Sequence, residues 1–180
     1  MKSSLPPVDV LRQLVDYNPR TGVLTWKFRS RKFCKSDHEQ VRWNKRFSGK
    51  VAGVIAKDGY SVICIFDRQY KSHRICWHLY YGEPAKGQID HINGQRCDNR
   101  IENLRDVSAR QNALNRKLIS RNKSGYAGVS QNAYGKWVAY ISTKKKRLYL
   151  GGFNCVTASA IRRLQAEHEH GYHPNHGRPM

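Results

Sequence analysis

The sequence predicts an α+β protein: a basic N-terminal segment, a central unit of two short strands and a helix, and a C-terminal sheet of three strands with a helix. Three observations carry this reading. Short stretches of helical and of strand periodicity succeed one another along 180 residues, divided by turn signals such as Asp58-Gly59, Asn93-Gly94 and Gly151-Gly152. Four Trp, ten Tyr and five Phe supply large side chains to bury, which excludes a wholly disordered basic tail. The charge is uneven: Val107 to Ala166 contains twelve basic residues and no acid, and Lys27 to Lys50 contains nine basic residues against Asp37 and Glu39.

Val8, Leu11, Leu14 and Val15 have helical spacing over 8–16. The turn Asn18-Pro19-Arg20-Thr21-Gly22 then leads into a short strand over Val23–Phe28. Val51–Ala56 and Tyr60–Phe66 read as a hairpin around Asp58-Gly59. Ser72–Tyr81 reads as a helix with Ile75, Cys76, Leu79 and Tyr80 inward, stopped by Gly82 and Pro84. Gln88–Val107 forms two short strands around an irregular loop. Ser108 with Gln111 makes a capping box for a helix running to about Leu118. After the polar linker Ile119–Gly125 come strands over Ala127–Gln131, Lys136–Ser142 and Arg147–Leu150, and a helix from Thr157 with Ala158, Ile161 and Leu164 on one face. The parts are thus 1–70, 71–118, 119–125, 126–171 and a tail, 172–180.

Lysine and arginine outnumber acids 33 to 13, a net charge of +20. A small domain needs a charge of only about 2–8 for solubility, so the excess points to a polyanionic partner, nucleic acid first. No apolar run approaches the roughly 20 residues that span a bilayer, and MKSSLPPVDV lacks the apolar core of a secretory signal. The five cysteines are 12 or more residues apart, with no CxxC pair, which argues against a disulfide framework or a zinc knuckle. A reduced, cytoplasmic protein is expected. The cluster His168, His170, His173 and His176 reads as a solvated tail.

Asp90 and His91 place a carboxylate beside an imidazole at a strand end. Asn103 follows His91 by twelve residues and Asn112 follows Asn103 by nine. Carboxylate and amide oxygens are hard donors that suit Mg²⁺ or Mn²⁺, with water and phosphate completing the shell. Together with Asp98-Asn99-Arg100-Ile101-Glu102-Asn103-Leu104-Arg105, Gln111-Asn112 and the upstream His73-Arg74, this segment resembles the HNH endonucleases carried by phages and introns, in the subset whose third letter is Asn. The resemblance implies a ββα-metal module over about Lys71–Lys117. It makes His91 the general base, Asn103 the residue that holds the loop and orients His91, and Asp90 and Asn112 the ligands of one divalent ion. His73 or Arg74 would face a phosphate, with capping or packing as the alternative for His73.

Gly125-Tyr126-Ala127-Gly128-Val129, the segment Tyr134–Ile141 and Arg147-Leu148-Tyr149-Leu150-Gly151-Gly152-Phe153 resemble the AP2 DNA-binding domain over about Ser124–Gly171. Ala127 and Ser130 stand where the plant-type domain has arginine, and Tyr134 where it has tryptophan. Lys136, Trp137, Arg147 and Tyr149 remain as DNA contacts, with Lys144, Lys145 and Lys146 beside them; core packing is the alternative for Trp137. The combined expectation is a divalent-metal-dependent, homing-type endonuclease that nicks double-stranded DNA as a monomer, without a membrane or an evident protein partner. The main alternative is a DNA-binding regulator with an inactive HNH unit; an RNA-binding protein is a third.

Overall fold

The computed structural model describes residues 4–115, 118, 121–144, 146–174 and 176–177. The chain divides into two compact units, Met1–Ser108 and Ala109–Met180.

In the first unit, helix α1 (Val8–Leu14) ends one residue before strand β1 (Val15–Asn18), which pairs antiparallel with β2 (Val23–Trp26). The helical spacing over 8–16 therefore stops early. Val15 is β-branched and serves either period, and its pairing with Trp26 decides for the strand. Helix α2 (Asp37–Phe47) is absent from the sequence reading because its surface is polar on most sides. Ser36 caps it, the hydroxyl accepting from the amide of Glu39.

A three-stranded antiparallel sheet follows in the order β3 (Val54–Ile55), β4 (Ser61–Ile65), β5 (Arg68–Lys71). Strand β5 was also unread, its tight turn being made by Phe66 and Asp67 at φ of 50° and 61° rather than by glycine. Helix α3 spans Ser72–Tyr81 as expected, and Gly82, at φ 78°, closes it in the left-handed conformation. Strands β6 (Gln88–His91) and β7 (Leu104–Val107) form a separate antiparallel pair.

The core of this unit joins Leu11, Leu14, Leu24, Ile63, Ile65, Ile75, Cys76, Ile89 and Leu104. It draws on the N-terminal segment and on the central strands alike. Burial of each such aliphatic side chain contributes about 1.5–3 kcal/mol.

The second unit opens with α4 (Ala109–Ala113), five residues long; Leu118, the expected end of that helix, is irregular. Strands β8 (Val129–Gln131), β9 (Trp137–Ser142) and β10 (Arg147–Phe153) form an antiparallel sheet with β9 in the middle, and β10 runs on through Gly151-Gly152 by way of a bulge. Helix α5 (Val156–Glu169) packs against it.

The apolar face of α5 is not its buried one. Ile161 and Leu164 are each 53% exposed, whereas Ser159, Ala160, Arg163, Ala166 and Glu167 are buried. Arg163 explains the rotation: Nε donates to the Ala127 carbonyl at 3.0 Å, Nη1 to the Tyr140 carbonyl at 2.9 Å, and Nη2 pairs with Glu167 at 2.9 Å. The small Ala160 and Ala166 let the helix close on the sheet around this pair. Gly128 lies beneath the guanidinium, where a Cβ would meet Arg163 Nε at 2.9 Å. The expected solvated tail is also partly packed: Tyr172 donates to the Ser142 carbonyl and stacks edge-on with His176 at 4.7 Å.

Candidate active site

Strand β6 delivers two adjacent residues to opposite faces. Asp90 lies directly across from Arg105 of β7, and its Oδ2 accepts from Arg105 Nε at 3.0 Å and Nη2 at 2.7 Å. His91, opposite Leu104, is 3% exposed.

The chain beyond His91 is folded back by amide side chains. Asn103 Oδ1 accepts from the amide of Asn93 at 2.9 Å, while its Nδ2 donates to the Asp98 carbonyl at 2.8 Å. Asn93 Nδ2 donates to Asp98 Oδ2, and Arg100 grips both Asp98 oxygens from Nε and Nη2. These bonds hold Asp98 well below the usual carboxylate range, at about 2, with the Arg100 hydrogen bonds the largest cause.

The folded loop brings Asn99 against His91. Asn99 is 4% exposed, and His91 Nε2 donates to its Oδ1 at 3.1 Å. An amide oxygen only accepts, so the neutral ring carries its proton on Nε2 and its lone pair on Nδ1. Burial lowers the basicity of His91, an effect opposed by the Asn99 hydrogen bond and by the Asp90 and Asp98 carboxylates. The arrangement favours a neutral imidazole able to accept a proton. Sequence reasoning gave Asn99 no role. It lies within the quoted Asp98-Asn99-Arg100 stretch, but nothing in its spacing shows that the loop returns it to the ring.

A second shell of rings closes the other side. His73 of α3 meets His91 edge-on at 5.1 Å between centroids, and Tyr60 lies 5.4 Å from His73 and 5.9 Å from His91. Burial, then the neighbouring His91, Arg74 and Lys71, pulls His73 down to about 3. It is buried at 8% exposure among these rings, an environment that disfavours its charged form. Arg74, the next residue of α3, is half-buried.

The first unit thus gathers Asp90, His91 and Asn103. Asn112 stands half-buried on α4 at the start of the second unit. Lys136, Lys144, Lys146, Arg147 and Tyr149 are exposed there. Arg147 lies 4.1 Å over the ring of Tyr140, itself 5.3 Å from Tyr149. Trp137 lies with the buried Ala139 and Ile141 on one side of β9, and Tyr140 lies with the buried Val138 on the other, beside Arg147 and Tyr149. Lys145, like Arg116 and Lys117, falls outside the described residues.

Among the described residues no group of three or more His, Cys, Asp and Glu could hold a metal ion. The Asp90 carboxylate is a hard oxygen donor of the kind that Mg²⁺ takes, with water and phosphate, in phosphoryl-transfer sites.

Residues 70–114 match the family described as HNH endonuclease. An HNH endonuclease domain occupies this segment. The HNH family implies a nuclease, a phosphodiester hydrolase with DNA as its substrate, and its members generally use a divalent metal ion. No curated protein and no solved structure matches the chain at a significant level. Within the HNH domain lie α3, the β6–β7 pair and the loop that carries Asn99 to His91. No helix among the described residues is long and apolar enough to cross a membrane.

Proposed function

We propose that the protein hydrolyses phosphodiester bonds in double-stranded DNA, with His91 as the general base and Asn99 as its positioning residue. The observation that carries this reading is the bond from His91 Nε2 to Asn99 Oδ1 in a buried site. It presents Nδ1 as the proton acceptor. A water oxygen attacks phosphorus, its proton passes to His91 Nδ1, and one P–O bond breaks to leave a phosphate monoester; the leaving oxygen takes a proton from solvent water to become a hydroxyl, and His91 returns its proton to solvent. A group with its proton acceptor fixed in this way supplies roughly 10²–10⁴ of the rate.

Asp90 would hold one Mg²⁺ or Mn²⁺, and Asn112 is the second ligand that the resemblance implies. Bound there, the ion would offset phosphate charge and the charge developing on the leaving oxygen. Arg105 holds the Asp90 carboxylate in place. Asn103 acts through the loop, tying Asn93 to Asp98 and so carrying Asn99 to the ring. In the second unit Arg147 and Tyr149, beside Tyr140, with Lys136, Lys144 and Lys146, would follow the DNA backbone as an AP2-like module.

The reading extends to a homing-type enzyme that nicks as a monomer. The chain carries one Asp90/His91/Asn103/Asn112 set, and one site aligned for one strand is misaligned for its antiparallel partner. The test is a time course on supercoiled plasmid with Mg²⁺, Mn²⁺ or excess EDTA. Open circle accumulating only with metal supports the proposal. Linear product without a nicked intermediate excludes the nickase, and binding without any cleavage favours the regulator with an inactive HNH unit.

A further inference from the structure

A cleft of about 870 Å³ opens in the first unit between α2 and the outer face of the β3–β4–β5 sheet, within the range of roughly 300–1,000 Å³ common for small-ligand sites. Strand alternation makes it. Ile63 and Ile65 of β4 turn into the core, so Val62 and Cys64 turn outward to form its floor. Trp26, Phe33, Trp43, Phe47 and Phe66 wall it.

Arg29 stands in this cleft, 8% exposed, with its guanidinium 3.7 Å from the ring centre of Trp43 and 5.8 Å from that of Trp26. Its backbone is locked: the amide donates to Asn44 Oδ1 at 2.8 Å, and the carbonyl accepts from Gln40 Nε2 and Asn44 Nδ2. Its Nε is buried without a hydrogen-bond partner, and Arg29 joins no ion pair among the described residues. Glu39 and Asp67 lie in the lining and favour the charge of Arg29 from a distance, but neither forms an ion pair with it, and Glu39 accepts from the backbone of Lys35. A guanidinium withdrawn from water without an anion in contact is unfavourable, and ring stacking offsets only part of that cost. Exposed Lys32 and Lys35 add positive charge at the rim.

We infer that this cleft binds one nucleotide of an unpaired DNA strand, its phosphate on Arg29 and its base against the aromatic wall. Arginine presents a planar fork that matches phosphate oxygens. Aromatic side chains stack on any base, independently of sequence. Nine basic residues between Lys27 and Lys50 select a polyanion over a neutral aromatic ligand. The inference rests on DNA being the substrate, and it gives the N-terminal segment a direct contact with that substrate.

The test is tryptophan fluorescence of the full chain, since Trp26 and Trp43 line the cleft. Thymidine monophosphate, inorganic phosphate and an eight-nucleotide single strand are titrated in turn. The expected result is saturable quenching by the nucleotide and the single strand, with phosphate at least tenfold weaker. Arg29→Met should weaken the single strand at least tenfold. Phe66→Ala, at the exposed rim, should weaken it severalfold and carries the test if Arg29→Met fails to fold. Phosphate binding as tightly as the nucleotide would leave an anion site without base recognition and overturn the inference, as would single-strand affinities within twofold of wild type in both variants. Plasmid cleavage is followed in parallel. Cutting without quenching rejects the cleft alone, whereas quenching without cutting rejects the nuclease reading alone.

Discussion

Gly22 lies flat against the backbone of Arg100: a Cβ at this glycine would come within 2.5 Å of the Arg100 amide nitrogen and 2.6 Å of the Asn99 carbonyl carbon. The turn after β1 therefore rests on the segment that holds Asn99. Tyr17 donates to the Asn99 carbonyl at 2.7 Å, and the amide of Ile101 donates to the Pro19 carbonyl at 3.0 Å. Gly22 also sits at φ +75°, where other residues are strained. Gly22→Ala is expected to cost at least about 1–2 kcal/mol from the backbone conformation alone, and more from the clash. Urea unfolding followed with a cleavage assay checks it. Wild-type stability would show that the turn does not bear on the loop.

Asn99 separates positioning from packing. Asn99→Ala is expected to lower kcat by roughly 10- to 100-fold, a share of what a general base supplies, with DNA affinity unchanged. Asn99→Asp places a carboxylate on Nε2, which stabilises imidazolium and moves the acid limb of the pH–rate profile to higher pH. In the wild type that limb lies below the ordinary histidine value of about 6.5, because burial lowers the basicity of His91. A profile that does not move in Asn99→Asp would remove Asn99 from the account.

Asp98 makes stability depend on acid. Its folded value, about 2, is depressed below the unfolded value by Arg100 and Asn93. Its contribution is thus present above an unfolded value of about 3.9 and is lost as pH falls toward 2. With Arg100 partly exposed, the contribution is about 1 kcal/mol at pH 7. Asp98→Asn should be less stable than wild type at pH 7, and the gap should close between pH 4 and 2 in urea melts.

Arg163 and Ile161 test the orientation of α5. Arg163→Ala leaves Glu167 buried without its partner, a loss of about 3–5 kcal/mol. Ile161→Lys, on the exposed face, should change stability by no more than about 0.5 kcal/mol. Thermal unfolding of both variants reads this directly. The reverse order would restore the face that the apolar spacing suggests.

That reversal shows where the sequence is readable. Ser72–Tyr81 and its Gly82 stop are local, since period and cap both lie within eleven residues, and the helix forms there. The three strands and helix of the second unit are legible for the same reason. The buried face of helix α5 is not legible from its apolar spacing, because Arg163 is buried by carbonyls 23 and 36 residues distant, which no helical period contains. Helix α2 was hidden by a surface that offers little apolar contrast. In the candidate site, order and spacing single out Asp90, His91 and Asn103, and the first unit holds all three. They do not single out Asn99, because its contact with His91 exists only once Asn103, Asp98 and Arg100 have closed the loop. The basic run around Arg29 was visible as composition, but the cleft needs β4 and α2 side by side.

The central claim is hydrolysis of DNA by His91, and the most direct measurement compares the wild type with His91→Ala on supercoiled plasmid in Mg²⁺ at equal DNA occupancy. The expected result is open circle from the wild type and a rate at least about 100-fold lower from the variant, with DNA affinity within twofold. Cleavage by His91→Ala at the wild-type rate would contradict the account.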